Sequence, residues 1–268
     1  MNLFRPYQMG EPQRDARGRL VGIDRYQDVL GRNWKRFFLT GLVTMLGCLP
    51  LAVGVAWAIL SSSVLVLLPA CLLGGAVAGP FLACLYDTIL RALRDAPGTW
   101  GQNYRRSLAQ NWKAALVPGA LTGLFLGAAA FAGMMLFFWS TVRPTAVTVV
   151  VYLFSWLVFL AVSTLYWPQL VLFDQRPMVR LRNALLFTVQ YFWVTVGTAL
   201  LQLVWWLLMV LFAPWTLLLL PFVGSWFDLF VALFLLYDRL DKAFEIEKSI
   251  ARAFPEQAPA RKEKEIEL

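Results

Sequence analysis

Histidine does not occur in this chain of 268 residues, and charged residues make up only 15% of it. The first absence removes Ser-His-Asp and Cys-His catalysis, H-E-x-x-H metal sites and histidine proton relays together. Cysteine is scarce as well. Cys48, Cys71 and Cys84 stand in apolar sequence without C-x-x-C spacing, where a free thiol acts as a small hydrophobe, so neither disulfides nor zinc is expected. The sequence offers no P-loop, glycine-rich dinucleotide turn or pair of catalytic carboxylates. The chain thus reads as a non-enzyme, with no catalytic residue, cofactor or metal.

The shortage of charge also argues against a soluble domain. Apolar residues make up 59% of the chain, more than a single core can hide, so a lipid bilayer is the implied solvent. They gather into blocks near the ~20 residues that a helix needs to cross ~30 Å of hydrocarbon. Spans are expected at about 37–60, 64–86, 114–139, 146–173, 184–212 and 215–237. The first starts too far along, and runs too long, for a cleaved signal peptide of the usual form. The expected fold is all-α: a polytopic membrane bundle of about six transmembrane helices in three hairpins. It divides into an N-terminal tail (1–36), a transmembrane domain (37–237) and a C-terminal helix with a disordered tail (238–268).

The net charge of +8 reflects topology and not nucleic-acid binding. Of the 24 Lys and Arg, eight lie in the N-terminal tail, five in 87–113, three in 174–183 and seven after Tyr237. Arg143 alone falls on the other side. Because Lys and Arg near span ends favour the cytoplasm, both termini are expected inside.

An internal repeat supports the hairpins. Asn33-Trp34-Lys35 returns 78 residues later as Asn111-Trp112-Lys113, Gly41, Gly119 and Gly197 keep that period, and Tyr86-Asp87, Phe173-Asp174 and Tyr237-Asp238 close the even spans. Three parallel copies of a two-helix unit are expected. Ile23, Tyr26, Leu30 and Trp34 predict an amphipathic helix on the inner leaflet before the first span. Leu236, Leu240, Phe244 and Ile250 predict a helical continuation of the last span, up to Pro255.

Four features are candidates for function. Gly119, Gly123 and Gly127 strip one face of the third span for close helix approach, either to a second subunit or to another span of the same chain, with Gly75 and Gly79 on the second span as the internal candidate. Asp228 is ionisable near mid-span, where a carboxylate costs ~2.5–3.5 kcal/mol, and Gln202 lies at comparable depth to bond with it. The pair is either structural glue or a proton or cation site, with Thr188, Tyr191, Thr195 and Thr198 lining a polar path. Trp167-Pro168-Gln169 either opens a helix or only kinks it. The basic loop carrying Arg91, Arg94, Arg105, Arg106 and Lys113 either docks a partner protein or attracts lipid headgroups. Trp34, Trp112, Trp139 and Trp215 fall near span ends, as an aromatic belt requires.

From Asn33-Trp34-Lys35 through Leu49-Pro50, Gly79-Pro80-Phe81, Tyr86-Asp87 and the loop Arg94-Asp95-Ala96-Pro97-Gly98 to Asn111-Trp112-Lys113, the first half of the chain resembles the YesL family of bacterial membrane proteins. Gly- and Leu-rich sequence between the first two spans departs from the shorter family pattern. The family has no established activity and supplies no functional residues. The resemblance implies a multi-pass protein of the bacterial cytoplasmic (inner) membrane in a Gram-positive organism, and an accessory role beside a sugar transporter in carbohydrate uptake. The leading expectation is accordingly a non-enzymatic accessory or scaffold protein. Its rivals are a small transporter or channel using Asp228 and, more remotely, a membrane enzyme working through Asp, Arg and Tyr of the cytoplasmic loops.

Overall fold

In lipid every backbone polar group of a span must be satisfied within the protein, and a helix does this within itself. The computed structural model describes residues 14–15, 18–141, 143–213 and 215–253, of which 87% are helical and none lies in a strand. The elements are α1 (Gly22–Leu60), α2 (Val64–Leu93), α3 (Trp100–Met134, closed by a π turn at Met135–Trp139), α4 (Ala146–Leu172), α5 (Pro177–Gln190), α6 (Phe192–Leu211), α7 (Trp215–Leu219, followed by a π turn at Leu220–Gly224), α8 (Phe227–Phe244) and α9 (Ile246–Ala253). Six segments among the described residues are long and apolar enough to cross a membrane: α1, α2, Trp100–Trp139, α4, α6 and Leu220–Phe244. Ser63 and Thr145 start the returning helices of the first two hairpins, each side chain accepting the N–H of the residue three further on.

The 78-residue period is also a period of structure. The long odd-numbered elements begin at Gly22, Trp100 and Pro177, within one residue of that spacing. Asn33 and Asn111 both donate to the carbonyl four residues back, at 3.0 Å, and Lys35 and Lys113 sit 5.8 and 5.4 Å from the rings of Trp34 and Trp112. The third copy diverges: Tyr191 breaks the helix, so the single span expected at 184–212 is two elements, α5 and α6.

The most enclosed spans are α2 and the one containing α8, 39% and 50% buried across their apolar windows against 11% for Trp100–Trp139 and α4. These two are the centre of the bundle. α2 packs on α1, α3, α4 and α8, and α6 packs on α4 and α8. Although connection makes α3 and α4 a hairpin, the closest packing of α3 is on α2. A Cβ on Gly75 would stand 2.5 Å from the Gly119 carbonyl oxygen and 2.8 Å from Gly123 Cα, and one on Gly119 would stand 2.6 Å from Gly79 Cα. Backbone therefore meets backbone, as small-residue spacing allows. Gly127 faces Cys71 in the same seam.

Two terminal segments differ from expectation. The amphipathic stretch before the first span is an unbroken part of α1, and it turns Tyr26, Val29, Leu30 and Phe37 toward the core. Tyr26 packs 5.3 Å from Phe230, while Ile23 and Trp34 are exposed. Aromatic contacts with α8 thus rotate the helix away from the expected stripe. At the other end Glu245, with φ of 46°, separates α8 from α9, so the stripe of Leu236 and Leu240 passes to Ile246 instead of along one helix. The Ile250 side chain, Pro255 and the tail from 257 onward lie outside the described residues.

The described segments nearest the two termini meet at one face of the bundle. Arg19 Nη1 lies 2.6 Å from Glu247 Oε1, and Arg143 stands on the loop at the opposite face.

Candidate functional site

Asp228 owes its setting to a break in the last span. The π turn holding Pro221 and Gly224, and the turn at Ser225–Trp226, interrupt the helix, so Asp228 falls in the first turn of α8. Its carboxyl lies against the backbone N–H of Leu229 and its own, the orientation in which a helix start favours an acceptor. It is 5% exposed and accepts the indole N–H of Trp206 at 3.0 Å. The partner is therefore Trp206, not the expected Gln202. The amide of Gln202 instead donates to Thr164 Oγ1 at 2.9 Å and to the Thr198 carbonyl at 3.4 Å. Gln202 stands one turn before Trp206 on α6, close enough to belong to one cluster without bonding to the acid.

Tyr86 of α2 completes this cluster. Its ring stacks on Trp167, centroids 6.0 Å apart, and its hydroxyl faces Ser163 and Thr164 of α4. Four helices, α2, α4, α6 and α8, thus meet around buried polar groups. The expected threonine path is only partly there. Thr195, Thr198 and Gln202 share the buried face of α6, but the break at Tyr191 separates them from Thr188, which bonds its own helix at the Ala184 carbonyl.

No family model, curated protein or solved structure matches the chain. The site is accordingly read from its own groups. Hydrogen bonds through Trp206–Asp228 and Gln202–Thr164 fix the register of α6 against α8 and α4, and a carboxyl so placed can also hold a proton or a small cation.

α4 continues through Trp167-Pro168-Gln169 without opening. Trp167 and Gln169 are each 1% exposed, the Gln169 amide donates to the Leu165 carbonyl, and its Oε1 has no partner.

The basic loop does not form one patch. Arg91 pairs with Asp87 at 2.7 Å, and Arg94 donates to the Leu90 carbonyl, with burial holding its guanidinium below the usual arginine range. Arg105, Arg106 and Lys113 stand exposed on α3. The centre of the loop is an acid that the sequence reading passed over. Asp95, in the left-handed region at φ 56°, pairs with Arg25 at 2.7 Å, Arg32 at 2.8 Å and Arg19 at 3.2 Å. Arg25 and Arg19 also donate to the Leu93 and Arg94 carbonyls at the end of α2. Arg19 extends the network to Glu247 on α9, which accepts the Tyr237 hydroxyl at 2.9 Å. Burial is the largest single influence and works against the Arg19 charge, but the bond to Glu247 and the nearby charges of Glu247 and Asp95 together outweigh it and hold that guanidinium above its usual range. The sequence signal for this hub was an Asp-Ala-Pro-Gly turn facing an arginine-rich tail.

Proposed function

We propose that this protein is a non-enzymatic scaffold of a bacterial cytoplasmic membrane, an accessory to a membrane partner of the sugar-transporter class. The observation that carries the scaffold reading is the Asp95 hub, which cross-links Arg19 before α1, the first turns of α1, the α2–α3 loop and α9 into one charged cytoplasmic surface. The glycine seam between α2 and α3 supports it, since close backbone packing favours a fixed body over a moving one. The carbohydrate connection rests on the resemblance to YesL-like proteins. Purification from native membranes in mild detergent, followed by mass spectrometry of near-stoichiometric companions, tests the proposal. Transporter subunits recovered with the wild type and lost with Asp95→Arg support it; a chain that elutes alone under several detergents counts against it.

A second reading, a small transporter or channel using Asp228, is favoured by the convergence of Asp228, Trp206, Gln202, Thr164 and Tyr86 at one junction. Asp228→Asn separates the two readings: unchanged growth and solute flux would sink transport, and a loss of flux in a protein that still inserts would favour it.

A further inference from the structure

α5 carries a buried cation with too few partners. Arg180 is 4% exposed, yet among the described residues it has no ion pair. Its Nη2 donates to the Phe173 carbonyl at 3.4 Å, its guanidinium lies beside the Tyr166 hydroxyl, and its Nε has no partner. A guanidinium offers five N–H donors, and here the buried Nε–H is left without an acceptor. Tyr166, Gln169 and Phe173 follow one another at spacings of three and four along α4 and the residue that caps it, which puts Gln169, with its unpartnered Oε1, on the face that Arg180 touches. Burying a charge without a counter-charge is unfavourable, and an anion from the surroundings would offset that cost.

The setting says which anion. Arg180 belongs to the first turn of α5, where Pro177 has no N–H and the helix start favours negative charge. Arg176 and Arg182 flank it, both exposed, and the nearby acid, Asp174, is exposed and unpaired with Arg180. The outer face of α5 is apolar, with Met178 73%, Leu185 48% and Val189 75% exposed, and Trp193 beyond it is 84% exposed. That stripe is suited to acyl chains and has no use for a soluble ion. We infer that Arg180 and Arg176, at the junction of α4 and α5, form a binding site for the phosphate of an anionic phospholipid headgroup. The acyl chains lie along Met178, Leu185 and Val189. This inference does not depend on the proposed scaffold role, and either can fail alone.

The test uses the full chain in neutral detergent. Phosphatidylglycerol or phosphatidylcholine is added in mixed micelles, or inorganic phosphate alone, with bound lipid counted by native mass spectrometry and melting followed in parallel. The wild type is expected to retain phosphatidylglycerol and melt higher with it, Arg180→Gln to lose both effects, and Arg176→Gln to bind about five-fold more weakly. Arg143→Gln, on the opposite face, should bind as wild type. Equal response to both lipids, or full binding by Arg180→Gln, overturns the site. A response to inorganic phosphate alone overturns the lipid assignment. Where Arg180→Gln does not accumulate, Arg176→Gln decides, and undiminished binding there overturns the proposal.

Discussion

The indole N–H of Trp206 points at Asp228 Oδ2 across 3.0 Å, tying α6 to α8 where the last span restarts. Trp206→Phe keeps a ring and removes the donor. It is expected to lower stability by about 0.5–2 kcal/mol, the range for one hydrogen bond between spans. Asp228→Asn should cost less, because an amide oxygen still accepts the indole. A double-mutant cycle read by thermal melting in detergent should show coupling of about 0.6 kcal/mol or more. Additive effects would mean that the bond contributes nothing to stability.

Gly79 is spaced for packing and Gly197 keeps the 78-residue period, but only Gly79 meets a neighbouring helix. A side chain on Gly79 would strike the Ala115 carbonyl of α3, whereas nothing lies within 4 Å of one on Gly197. Gly79→Val is expected to destabilise by about 1–3 kcal/mol or to prevent accumulation. Gly197→Ala should be neutral or stabilising by up to about 1 kcal/mol. Melting curves of the two variants check this, and equal effects would mean that the seam does not hold α3.

Asp95→Ala removes the acid that three arginines share. Hydrogen bonds to charged groups contribute about 1.5–3 kcal/mol, and the half-exposed Arg32 contributes the smaller, screened part. Opening of the segment around the start of α1 should rise roughly ten-fold or more, read as trypsin cleavage at Arg19 and Arg25. Added salt should move the wild type in the same direction. Unchanged cleavage would show that aromatic packing of Tyr26 on Phe230 holds the segment unaided.

These sites were unequally legible in the sequence. The bundle follows from apolar block length, and the glycine seam from four-residue spacing, because both are local signals. The partner of Asp228 was hidden because a Trp in an apolar block looks like lipid-facing mass until its N–H finds an acceptor. The break at Tyr191 was hidden because residues 184–212 are uncharged and mostly apolar throughout, and hydropathy does not register an interruption of the helix. The Asp95 hub joins residues 63 to 76 positions apart, with Glu247 further still, a distance over which no sequence period operates.

The inside placement of both chain ends rests on charge and has a direct test. Cys48, Cys71 and Cys84 lie within α1 and α2, so an impermeant thiol reagent should leave the parent protein unlabelled. Thr141, on the loop with Arg143, and Gln110, on α3 near the basic face, are both exposed. Thr141→Cys should react in intact cells and Gln110→Cys only after permeabilisation, as the excess of Lys and Arg on the Gln110 side requires. The reverse pattern would invert the protein. The Asp95 hub would then face outward, where it could not present a surface to a cytoplasmic partner, and the Arg180 site would meet the outer leaflet. Labelling of both positions in intact cells would mean two orientations, and the excess of Lys and Arg on the Gln110 side would then not suffice to fix the topology.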